Sequence, residues 1–104
     1  MTLDRFVTPP QLEGALERLS RNRFFIQRLQ DFLTELLERF QNDPEFRSRI
    51  YLRFLDGESR IGPLDLFNGI DWDIEADEEG LDLINYLIFV WMREERMRLI
   101  ESAG

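Results

Sequence analysis

The 104-residue chain contains no cysteine, no histidine and no lysine. Without cysteine it forms neither a disulfide nor a thiolate nucleophile, and this absence weakly favours a reducing, cytoplasmic location. Without histidine and lysine it lacks the commonest general base and the amine that forms Schiff bases. The same lack of nitrogen and sulfur ligands disfavours zinc. We therefore expect a protein that is not an enzyme and that has no catalytic residue, metal or cofactor.

The sequence also contains no long apolar segment, and no N-terminal leader is expected. Its most apolar stretch, residues 81–92, has ten apolar residues of twelve, whereas a membrane-spanning helix needs about 20. The N-terminus has neither a basic leader nor an apolar stretch long enough for a signal peptide. We expect neither membrane insertion nor export.

Basic residues are missing from about a third of the chain. The net charge of −8 comes from 21 acids and 13 basic residues, all of which are arginine. Residues 61–92 contain eight acids and no arginine, while the remaining residues contain thirteen of each. The whole net charge therefore lies in one segment.

What the chain does have is enough apolar material for one core. Hydrophobic residues make up 43% and aromatic residues 12% of the sequence, which fits a single globular domain over residues 1–104. No repeat, low-complexity tract or linker divides it. Disorder is expected only at the ends, residues 1–7 and 102–104.

The spacing of apolar residues predicts an all-α fold, a small bundle of three to five helices. Thr8 before two prolines predicts a helix start, and residues 21–41 carry a broad apolar stripe at helical spacing. A last helix is predicted over residues 77–102. Its first half, residues 81–92, is apolar nearly all round and needs neighbours on every side. We expect residues 25–40 and 81–92 to be the central packing partners.

Residues 44–64 allow two interpretations. Apolar residues from Phe46 to Phe54 suit a helix that begins near Pro44 and ends at Gly57. The same region resembles two short extended runs around an Asp-Gly turn, which predicts a β-hairpin around residues 50–64. The helix is preferred, and the hairpin stays open as the alternative.

The stretch "DWDIEADEEGLD", residues 71–82, holds seven carboxylates and no base. Part of it fits a helix start, with Asp77 as the cap and Glu78 and Glu79 in the first turn. Its carboxylates also occupy positions 1, 3, 5, 7, 9 and 12 of a twelve-residue calcium loop. However, Ala76 replaces the glycine that the sharp turn needs, and Asp82 is shorter than the usual glutamate. A calcium-binding domain is therefore an alternative only.

A docking surface is the third interpretation of this stretch. Trp72 and Ile74 alternate with the acids, and an apolar anchor beside charge suits a basic partner, since burial supplies affinity and charge supplies steering. The competing expectation is that both side chains fold into the core. The predicted partner-binding residues are Asp71, Trp72, Asp73, Ile74, Glu75, Asp77, Glu78 and Glu79.

The function expected from these features is a non-catalytic protein-interaction module. It would be a small acidic regulator, adaptor or inhibitor that binds the basic surface of a macromolecular partner. One alternative is an inhibitor whose carboxylates imitate nucleic-acid phosphates and occupy a DNA- or RNA-binding site. Another is a structural homo-oligomer, such as a homodimer, because residues 86–92 would need a second chain if one layer of helices could not surround them.

Direct binding of nucleic acid is not expected. Arginines are grouped in residues 18–28 and 47–53 and could contact phosphate, but acids are interspersed among them. The isoelectric point near 4.5 further opposes attraction to a polyanion.

Overall fold

A computed structural model describes residues 5–103 of the chain, which form four α-helices and, over that range, no strand. The helices are α1 (Pro9–Ser20), α2 (Arg23–Asn42), α3 (Pro44–Ile61) and α4 (Trp72–Ala103). The predicted all-α bundle of three to five helices is confirmed. The β-hairpin expected as an alternative around residues 50–64 is not formed, because α3 continues through most of this region.

The ends of the chain were predicted to be disordered. Of these residues, 1–4 and 104 lie outside the described range. Residues 5–8 precede α1 without regular structure, while residues 102 and 103 belong to the last turn of α4.

Each helix begins at a residue whose side chain accepts hydrogen bonds from free backbone amides. Thr8 and Gln11 form a reciprocal capping box at α1, which confirms the predicted start. Asn22 caps α2 and Asp43 caps α3, and Asp71 does the same at α4. Such caps stabilise a helix by about 1 kcal/mol each, so local sequence sets the four starting points.

The end of α3 differs from the prediction. Gly57 was expected to end the helix, but α3 runs through it to Ile61. Gly62 ends the helix instead, with φ of 101° and ψ of −175°, and its amide donates to the carbonyl oxygen of Glu58 at 2.8 Å. That backbone conformation is open to glycine and costly for any residue with a Cβ atom.

Two glycine substitutions should therefore have opposite effects on stability. Gly57→Ala is expected to raise the free energy of unfolding by about 0.5–1 kcal/mol, because the position is helical and the added methyl meets no neighbour. Gly62→Ala is expected to lower it by about 1–3 kcal/mol. Urea unfolding at fixed protein concentration measures both, and a destabilising Gly57→Ala would contradict the observed helix end.

The core is small and lies at one end of the bundle. Its buried residues come from α1, the start of α2 and the second half of α4: Ala15, Leu19, Phe25, Ile88 and Met92. The rings of Phe25 and Trp91 meet edge to face at 5.6 Å. The predicted pairing of α2 with residues 81–92 is thus correct at Phe25, whereas Leu33, Leu37 and Phe40 further along α2 remain exposed.

The other end of the molecule is open. Among the helices, the backbone of α3 approaches that of α2 but, over the described residues, not that of α4. The radius of gyration is 18.2 Å, compared with about 13 Å for a compact chain of this length. The solvent-accessible surface is 9007 Å², compared with about 6200 Å² for a compact monomer of this mass. Much apolar surface is consequently left uncovered.

Candidate interaction surface on α3 and α4

The acidic segment, residues 71–82, is the beginning of α4. The carboxylate of Asp71 accepts hydrogen bonds from the amides of Asp73 at 3.0 Å and Ile74 at 3.2 Å. The predicted start at Asp77 is therefore wrong. Both aspartates can cap a helix, and the earlier cap places Asp73 and Glu75 in the first turn, where the helix dipole favours negative charge.

The helical conformation removes the basis of the calcium-loop interpretation. Carboxylates that alternate along the sequence are distributed around a helix instead of converging on one point. Over the described part of the chain, no three acidic side chains are grouped so that they could hold a metal ion.

The carboxylates of the acidic segment are exposed, and no ion pair neutralises them among the described residues. The ion pairs of that range all lie elsewhere: Arg18–Glu95, Arg21–Glu17, Arg28–Glu94 and Arg60–Asp56. Residues 71–82 are exposed throughout. The segment therefore presents its negative charge to solvent.

Two of these ion pairs join the second half of α4 to α1 and α2. Arg18 of α1 forms a two-bonded pair with Glu95, with both distances 3.1 Å. Arg28 of α2 forms another with Glu94, at 2.5 and 2.8 Å. The hydrogen bonds from Arg28 lower the pKa of Glu94, and the same bonds raise the pKa of Arg28. The arginines near the core are thus used within the chain.

The two predicted apolar anchors lie on the surface. Trp72 is exposed, and its indole N–H donates to the carbonyl oxygen of Leu66 at 3.2 Å, which ties the α3–α4 connection to the start of α4. Ile74, one turn inside the helix, is also exposed. Neither side chain enters the core, so both can contact another molecule.

An apolar stripe runs along α4 and is covered over only half of its length. Ile74, Leu81 and Ile88 recur every seven residues and so lie on one side of the helix. Ile88 is 2% exposed against α1 and α2, whereas Leu81 is 65% exposed. The helices that cover the stripe near Ile88 leave it open near Leu81.

The carboxylates of the acidic segment divide between two faces of α4. Asp77 and Glu78 lie three and four residues after Ile74, on the side of the uncovered stripe. Glu75 and Glu79 lie farther round the helix, whereas Asp82, four residues after Glu78, flanks the uncovered stripe. The uncovered stripe, with its two carboxylates, is called the α4 face below.

A second surface, on α3, is not predicted by the sequence patterns. An open groove is lined by Phe46, Arg49, Ile50, Leu52 and Arg53, and it is called the α3 groove below. Arg47 donates to the carbonyl oxygens of Phe40 and Gln41 at the end of α2. In contrast, Arg49 and Arg53 have no ion-pair partner among the described residues. The sequence of residues 44–64 allows both a helix and a hairpin. Only the helix places these groove residues on one side, so the sequence alone does not predict the groove.

Comparison of the chain with models of protein families, with curated proteins and with solved structures finds no match. Fold and surface therefore define a class, a small all-α protein in which the acidic start of α4 forms no ion pair with a described residue and lies beside open apolar surface. None of the helices in residues 5–103 is both long and apolar enough to cross a membrane.

Proposed function

We propose that the protein is a non-catalytic interaction module whose acidic segment binds a basic surface of a protein partner. The observation that supports this most is the exposure of residues 71–82 without an ion pair to any described arginine. A concentrated negative potential of this kind accelerates the encounter with a basic partner and orients it.

Affinity needs more than charge, because exposed ion pairs contribute at most about 1 kcal/mol each. The acidic segment also exposes Trp72, Ile74 and Leu81. Burial of such side chains supplies most of the binding free energy in protein interfaces, and aromatic anchors contribute most strongly. Apolar anchors and carboxylates on the same helix therefore support a docking role.

The proposal is tested by capture of proteins from the native lysate on the immobilised full chain. The neutralised variant carries Asp71→Asn, Asp73→Asn and Glu75→Gln, and asparagine at position 71 preserves the helix cap. The bound protein, a second copy of the chain or another protein, should be retained at low salt and released at high salt, because exposed charges are screened beyond about 8 Å at physiological ionic strength. The neutralised variant should retain at least about tenfold less of it.

A matched control removes three negative charges outside the segment, with Glu13→Gln, Glu35→Gln and Glu38→Gln at exposed positions. It should retain the same proteins as the unmodified chain. The proposal would be contradicted if the amount of retained protein changed neither at high salt nor with the neutralised variant. Displacement of a captured protein by duplex DNA would show that the carboxylates occupy a nucleic-acid site.

A further inference from the structure

We infer that the basic surface bound by the acidic segment is the α3 groove of a second copy of this chain. In the resulting two-fold dimer, the α4 face of each copy lies in the α3 groove of the other. The inference rests on the proposed function, because it names the partner of the same acidic segment.

The two surfaces are complementary in charge and similar in spacing. On α4, two exposed apolar residues flank two carboxylates at helical positions i, i+3, i+4 and i+7: Ile74, Asp77, Glu78 and Leu81. On α3, two apolar residues alternate with two arginines at the same spacing: Phe46, Arg49, Ile50 and Arg53. Opposite charges placed within apolar surfaces favour one partner and one register.

The two surfaces do not meet within one molecule. α3 packs against α2, α4 packs against α1 and α2, and the backbones of α3 and α4 do not approach each other in the described range. Trp72, which lines a cavity together with residues of α3, lies outside the α4 face. Among the described residues, Arg49 and Arg53 therefore form no ion pair through their guanidinium groups, and Asp77 and Glu78 form none through their carboxylates. A second copy supplies both missing partners at once.

A reciprocal arrangement also accounts for the amount of uncovered surface. In a two-fold dimer the contact occurs twice, and no copy of either surface is left over. The accessible surface of 9007 Å² exceeds that of a compact monomer by about 2800 Å². A standard interface buries about 800 Å² per partner, and obligate dimers bury considerably more. The uncovered area is thus of the size that an extensive dimer interface requires.

Charge reversal on either surface tests the inference, with the mass of the full chain measured by sedimentation equilibrium. The unmodified chain should be a dimer. The α3 variant, Arg49→Glu with Arg53→Glu, and the α4 variant, Asp77→Arg with Glu78→Arg, should each self-associate at least about 100-fold more weakly, because like charges then meet at both contacts. A 1:1 mixture of the two variants should form a heterodimer, since both contacts again join opposite charges.

The matched control is Glu13→Arg with Glu35→Arg, which makes the same charge change at exposed positions outside both surfaces and should leave the dimer intact. Circular dichroism confirms that each variant keeps its helices. A strict monomer at millimolar concentration would overturn the inference, as would a dimer that both reversed variants leave unchanged or a mixture that does not associate.

The two proposals fail in different ways. A monomer that still captures other proteins through the acidic segment would remove the dimer and leave the proposed function. A dimer restored in the mixture, combined with no other protein captured, would establish the α3–α4 contact and limit the partner to the chain itself.

Discussion

Replacement of Leu19 by alanine should lower the free energy of unfolding by about 2–5 kcal/mol. Leu19 is 1% exposed and belongs to the cluster that joins α1 to α2 and α4. The substitution removes buried apolar atoms and leaves a cavity that the surrounding helices fill only in part. Since small domains are stable by about 5–15 kcal/mol in total, the loss is a substantial share of the stability of the whole domain.

Urea unfolding followed by far-ultraviolet circular dichroism measures this loss. Leu16→Ala is the matched control, because Leu16 lies on the same helix and is 44% exposed. It should cost less than half as much, since burial of apolar area sets the size of the effect. An equal loss of unfolding free energy at the two positions would mean that Leu19 is not the residue by which α1 packs into the core.

Local pattern was sufficient to predict the helices. The cap at Thr8, the stripe of α2 and the proline after Asp43 all act within a few residues. Short-range signals of this kind can be recognised in the sequence without the tertiary structure. The errors arise where two residues offer the same signal. Asp71 and Asp77 both fit a cap, and Gly57 and Gly62 both fit a helix end, so local sequence does not distinguish the two members of either pair.

The candidate site could be predicted only in part. The exposure of the acidic segment followed from its charge, because buried carboxylates without partners are costly. The α3 groove could not be found in the same way, since its arginines belong to a mixed-charge stretch and its partner surface is distant in sequence. Composition indicated enough apolar residues for one core, but it does not specify how many chains share them.

Two serine substitutions on the stripe of α4 should have opposite consequences for folding and for association. Ile88→Ser places a hydroxyl in the buried core and should cost about 3 kcal/mol or more in stability. Leu81→Ser, seven residues earlier and exposed in the monomer, should change monomer stability by less than about 1 kcal/mol. Burial of a leucine side chain contributes about 1.5–3 kcal/mol. Because a two-fold dimer buries Leu81 of both copies, the substitution should weaken self-association by about 100-fold or more.

Thermal unfolding over a range of protein concentrations separates the two consequences. The midpoint of the unmodified chain should rise with concentration, because association stabilises only the folded state. Leu81→Ser should retain a cooperative transition at a midpoint that no longer depends on concentration. Ile88→Ser should lose much of the transition itself, since the cluster of α1, α2 and α4 is disrupted in every molecule. Equal effects of the two substitutions on monomer stability would show that α1 and α2 cover the whole stripe, and that no second chain is needed to complete it.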